Sequence, residues 1–159
     1  MVFGHAAVGS LLQQIRLSRA GLPFCLAAAY GPDWLDKPLK LFFHFSGHGI
    51  AHSLIGSAVL LGLWGWLCRR FSLPASWPPG AAVLWGLHLV CDQPGATVLC
   101  WPFFGPFPSH CATTAAMAWD FYAARPLSAM AWADLALTAL ALAARAAPRV
   151  RAVRRPGHG

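Results

Sequence analysis

The sequence contains no glutamate, and its five acidic residues are all aspartates. Charged residues make up 11% of the 159 positions, against about 25% in a soluble domain. So few charges cannot clothe a water-facing body of this size. A disulfide framework or a thiolate zinc site is also missing. The five cysteines, Cys25, Cys68, Cys91, Cys100 and Cys111, are odd in number, form no CxxC pair and lie mostly in apolar segments. They read as small apolar residues. A charged start followed by a long apolar stretch is lacking too, so the first residues are expected to belong to the mature chain, not to a signal peptide. There is no internal repeat, no low-complexity tract beyond an alanine bias, and no aromatic-basic pattern of the kind that lines a nucleic-acid groove.

What is present is apolar. Hydrophobic residues reach 57% and aromatics 13%, with a mean hydropathy of +0.52, and an integral membrane protein is the expectation. The net charge of +7 would suit nucleic acid, but the basic residues collect at Arg69 and Arg70 and in the tail at Arg145, Arg149, Arg151, Arg154 and Arg155. Each group follows an apolar run, as at the cytoplasmic ends of transmembrane helices.

Along the chain, residues 3–17 read as a short helix ended by Arg16, Arg19 and Gly21-Leu22-Pro23. Residues 22–30 are apolar but too short to cross a bilayer, which takes about 20 residues. Together they predict an N-terminal helical hairpin leaning into the membrane. Gly31-Pro32-Asp33-Trp34-Leu35-Asp36-Lys37-Pro38 reads as a polar connector, because its prolines remove amide donors and push the preceding residues out of helical geometry. Full spans are expected at 50–68, 81–99 and 127–147, with a loop over 72–80, an irregular aromatic segment over 101–108 and a further helix near 111–124. The predicted fold is thus an all-α integral membrane bundle of about three full transmembrane helices plus the short hairpin. Residues 1–147 form its single domain, and residues 148–159 a basic, disordered tail. The positive-inside rule puts Arg69, Arg70 and the tail in the cytoplasm and the polar residues near the outer face, although Lys37 and Lys40 pull the other way.

Ionisable groups inside so apolar a chain are expensive and default to function. His88 and Asp92 lie four apart, so on a helix they project one turn apart from one face, able to share a metal or to bond each other. A packing contact between helices explains the pair equally well. His44, His48 and His52 would form a stripe on a helix, but Gly47 and Gly49 disfavour one. Of the three, His52, followed by Ser53 at the start of an apolar span, is the best candidate; His44, among phenylalanines, reads as an interfacial residue. Asp33 and Asp36, three apart, can converge on a metal or take a proton from water. Asp36 fits the capping of a helix starting near Pro38 better, and Asp33 fits a metal site better. His5 alone supports no assignment, and His110 and His158 receive none.

The order His5, Pro32-Asp33-Trp34-Leu35-Asp36-Lys37-Pro38, Gly47-His48-Gly49-Ile50-Ala51-His52-Ser53, His88-Leu89-Val90-Cys91-Asp92, Trp101-Pro102 resembles the LexA-regulated, YdjM-like family of membrane-bound metal-dependent hydrolases. The resemblance covers roughly residues 1–108. This chain has His48 where many members carry a basic residue, and Gly47 where many carry a histidine. The order is also similar to the zinc-dependent phospholipase C and nuclease site. That similarity implies that Asp33, His52, His88 and Asp92 form one centre, with Asp92 bridging to a second metal held by His5. Lacking glutamate, the chain has no later His-x-x-x-Glu pair for a third.

Imidazoles and carboxylates without thiolates suit Zn²⁺, with Mn²⁺ or Fe²⁺ as alternatives. Two aspartates offset a divalent charge, so the cluster can be buried as a neutral unit. The expectation is a membrane-bound hydrolase cutting an ester or phosphoester, its substrate amphiphilic and its partner the membrane lipid. Asp33 or Asp36 would be the proton acceptor, with His48 and Ser53 toward the substrate. A non-enzymatic metal- or haem-binding membrane protein, using His52 and His88 as axial ligands, is the competing reading. Helices merely pinned together by polar pairs are a third.

Overall fold

The computed structural model describes residues 3–14, 21–43, 48–107, 114–123 and 126–147. His44, His110, His158, Cys111, Arg16, Arg19 and the tail 148–159 lie outside the described residues. The described residues are all-helical: α1 (Gly4–Gln14), α2 (Leu22–Ala29), α3 (Gly31–Phe43), a 3-10 turn (Ile50–His52), α4 (Leu54–Arg70), α5 (Trp77–Asp92), α6 (Ala96–Leu99), α7 (Thr114–Ala123) and α8 (Ala129–Ala146).

Local chemistry explains several of the boundaries. Pro23, in the first turn of α2, has no amide to leave unpaired there. Ser53 caps α4 by accepting the Gly56 amide at 3.0 Å, and Ser128 caps α8 by accepting the Ala131 amide at 3.1 Å. Gln93 ends α5 in the left-handed region at φ 45°, and Pro94 follows, so the span expected over 81–99 is cut short. The span expected over 50–68 shifts to Leu54–Arg70 because residues 50–52 turn before the helix begins. Residues 101–107 are irregular, as their prolines predict.

The connector expected over 31–38 is instead the body of α3. Pro32 lies in the first turn, where its missing N–H is no loss, and Pro38 is accommodated in the interior at the cost of one helical bond. The Trp34 amide donates to the Tyr30 carbonyl at 2.9 Å, so α3 follows α2 almost without interruption. Gly31 sits at the joint. A Cβ there would meet the Trp85 ring of α5 at 2.6 Å, so glycine allows the helices to approach this closely. Gly56 does the same for the turn, where a Cβ would lie 2.0 Å from the Ile50 carbonyl.

In the packing, α1 lies against α2 and α8, α2 against α5, α4 against α5, and α3 against the 3-10 turn. A small apolar core joins Cys25, Ala29 and Leu84, flanked by Val8, Leu12, Phe24 and Trp77. The interior also holds polar groups: His5, Asp36, His52, His88 and Asp134 are among the largest fully buried side chains. Large apolar residues face outward instead, such as Leu54, Val59, Leu63 and Trp66 on α4 and Trp132, Leu140 and Leu142 on α8. Among the described residues one helix, α8, is both long and apolar enough to cross a membrane. At 17 and 16 residues, α4 and α5 are shorter than the spans expected for them.

Candidate metal centre

Three elements converge beneath α1. Asp33 comes from α3, His52 from the 3-10 turn, and His88 and Asp92 from successive turns of α5. One donor atom from each lies within 4.8 Å of all the others. The Nε2 atoms of His52 and His88 are 3.1 Å apart. Asp92 Oδ2 is 3.6 Å from His52 Nε2 and 3.4 Å from His88 Nε2, and Asp33 Oδ1 is 3.9 Å from each ring nitrogen. Two nitrogens bound at 2.0–2.1 Å to a tetrahedral zinc stand about 3.3 Å apart, so these separations are of the size that a shared ion requires.

Hydrogen bonding fixes which atoms face the middle. His88 Nδ1 lies 2.7 Å from the Ala29 carbonyl, which can only accept, so the ring proton sits on Nδ1. His52 Nδ1 donates to Asp36 Oδ2 at 2.7 Å. With Nδ1 protonated in both rings, the two Nε2 atoms face each other, and at 3.1 Å they need a cation or a proton between them. Asp33 adds a second requirement. Its Oδ1 is buried and has no hydrogen-bond partner, while its Oδ2 accepts from Lys37. A buried carboxylate oxygen left unpaired is costly, and a metal bond would satisfy it. The donor set thus fits a metal ion, with imidazoles held by carboxylate and carbonyl partners as metal-ligating histidines commonly are.

His5 stands beside this group, not within it. Its Nε2 donates to Asp92 Oδ1 at 2.9 Å and its ring stacks on His88 at 3.8 Å, so it aims the other oxygen of Asp92 inward. Burial lowers the His5 pKa against the opposing pull of the Asp92 hydrogen bond. Burial also opposes a charge on His52, but the hydrogen bonds and charges of Asp36 and Asp92 outweigh it and raise the pKa. His48 is a third exposed and reaches Asp92 Oδ2 at 3.2 Å, at the open edge of the cluster.

Two expected roles move. Asp36 lies inside α3 and caps no helix near Pro38. Its carboxylate accepts the Gly49, Ala51 and His52 amides at 2.8 to 3.2 Å as well as the His52 ring, so it shapes the turn and orients the histidine. With both oxygens committed, it is not placed to take a proton from water. Ser53 is fully buried and spends its hydroxyl on the Ile50 carbonyl and the Gly56 amide, which makes it a helix cap and not a substrate contact. The histidine stripe is not helical either, since His48 lies in a bend and His52 in the 3-10 turn.

Two contributors lie outside the residues the sequence points to. The Ala29 carbonyl has no residue-type signal. Asp134, buried on α8, accepts the Gly4 amide at 2.6 Å, the Phe3 amide at 3.3 Å and the Tyr122 hydroxyl, and so holds the start of α1 and with it His5. The high cost of an ionisable group in an apolar helix, the rule that drew attention to Asp92, points equally to Asp134.

No protein-family model matches the chain, and comparisons with curated proteins and with solved structures likewise give no match.

Proposed function

We propose that the protein is a membrane-bound metal-dependent hydrolase that cuts an ester or phosphoester of an amphiphilic substrate. The observation that carries the reading is the meeting of two imidazole lone pairs with an unpartnered, buried carboxylate oxygen. In this proposal Asp33, His52, His88 and Asp92 hold one divalent ion, zinc in first place. Such an ion supplies Lewis acidity and lowers the pKa of a water toward about 7. Asp36 and the Ala29 carbonyl keep the two imidazoles in the ligating tautomer, and His5 holds Asp92. His48, at the exposed edge, donates its Nε2 proton to Asp92 Oδ2 at 3.2 Å, a second hydrogen bond that holds this carboxylate alongside the one from His5.

The membrane part of the proposal draws support from the inverted distribution of side chains, with polar residues buried and large apolar residues outward on α4, α5 and α8. At 1.5 Å per residue α4 extends about 25 Å, near the short limit for a span. Arg69 and Arg70 at its end favour a cytoplasmic location there and, with the return through α5, for the C-terminus after α8. The motif order supports kinship with the YdjM-like hydrolases. The haem alternative fares worse on distance: nitrogens on opposite sides of one metal stand about 4 Å apart, whereas His52 and His88 are at 3.1 Å.

Elemental analysis of the detergent-purified chain tests the reading, comparing the native protein with His88→Ala/Asp92→Ala and checking both by circular dichroism. About one equivalent of a divalent metal is expected in the native protein, lost from a variant that stays helical. Absence of metal from the native protein, even after incubation with zinc or manganese, would overturn it and leave polar pairs that only pin helices.

A further inference from the structure

Outside the cluster, α3 carries an open groove of about 630 Å³ lined by Tyr30, Trp34, Leu41 and Phe42, with Asp33 and Lys37 among its walls. Trp34, Leu41 and Phe42 are each about 70% exposed (68%, 73% and 72%). On a helix these positions and Lys37 fall on one stripe, while Asp36 turns the opposite way toward the 3-10 turn. Asp33 belongs to both places. One of its oxygens faces His52 and His88, and the other holds the Lys37 ammonium. The groove therefore runs up to the metal centre, with a half-exposed cation at the junction.

We propose that this groove receives the hydrocarbon chain of an amphiphile whose anionic head lies against Lys37, next to the centre. The inference rests on the hydrolase reading and narrows its substrate to a long-chain phosphoester. Lys37 has three N–H donors and Asp33 occupies one of them, so the ammonium can hold a head-group oxygen without giving up Asp33. The apolar wall accounts for the chain, and Lys37 accounts for a preference for an anion. Ordinary lipid contact would show no such preference.

The test is binding, which does not depend on turnover. The full chain is reconstituted in phosphatidylcholine vesicles and titrated with three bromine-tailed probes of equal chain length: an alkyl phosphonate, a fatty carboxylate and an alcohol. Bromine quenches nearby tryptophan, and Trp34→Phe assigns the part of the signal that comes from the groove. The phosphonate is expected to quench Trp34 at about fivefold lower concentration than the alcohol. Lys37→Gln should bring the two to parity, and Lys37→Arg should keep the preference. The phosphonate ahead of the carboxylate supports a phosphoester, whereas equal binding of the two anions or a carboxylate preference overturns that assignment. Equal quenching by all three probes, or none assignable to Trp34, overturns the groove itself. Metal content is measured on the same samples: a native protein without metal that still prefers the phosphonate keeps the groove and removes the hydrolase reading.

Discussion

At the scale of single residues, the centre depends on atoms that never touch its middle. Asp36 holds the His52 ring by its Nδ1 proton and three backbone amides by the same carboxylate. Asp36→Asn keeps the shape but weakens the grip on the imidazole, and metal affinity is expected to fall about 10–100-fold in a chelator-competition titration while the helical signal is retained. Acidity acts on the same atoms. Metal binding needs Nε2 of both histidines unprotonated, and the carboxylates raise the His52 pKa, so the proton competes up to a higher pH than at an ordinary imidazole. Affinity should therefore fall as pH falls, by about tenfold per unit for each proton that the ion displaces, which a competition titration run across pH 5 to 8 measures.

At the scale of elements, the caps and joints decide where the donors stand. Ser53→Ala removes the α4 cap and should cost about 1 kcal/mol, seen as a lower melting temperature, with metal content unchanged. A substrate-binding serine would instead raise KM in the same variant. How much could be read beforehand follows from the same elements. His52, His88 and Asp92 are legible as titratable groups in or at the start of apolar runs, His88 and Asp92 with helical spacing, whereas Asp33 stands in a polar stretch and joins them only through the order of the motifs. Helix α3 is not legible, because two prolines in eight residues argue locally for a break, whereas the tertiary fit of Gly31 against Trp85 and the continuation from α2 favour a helix. The role of Asp36 is hidden for the same reason: a capping site at a helix start and a carboxylate serving another segment's amides look alike until α3 and the 3-10 turn are placed together. The Ala29 carbonyl leaves no trace in residue identity at all.

At the scale of the whole molecule, polar side chains share the interior with a small apolar core, and many large apolar side chains face outward. In water the exposed faces of α4, α5 and α8 would be a liability, and in a bilayer they are the favourable surface. The chain is expected to stay with the membrane fraction after an alkaline carbonate wash and to leave it only with detergent; release by the wash would remove the membrane assignment. Helix α8 is tied to α1. Asp134 of α8 grips the amides of Phe3 and Gly4, and Arg145 reaches Ser10 at 2.6 Å, so the helix that carries His5 is seated by a residue 130 positions further along the chain. During translation α1 emerges before α8 and stays unclamped until α8 follows. A growing chain stalled before Asp134 therefore lacks the clamp that holds His5 against Asp92.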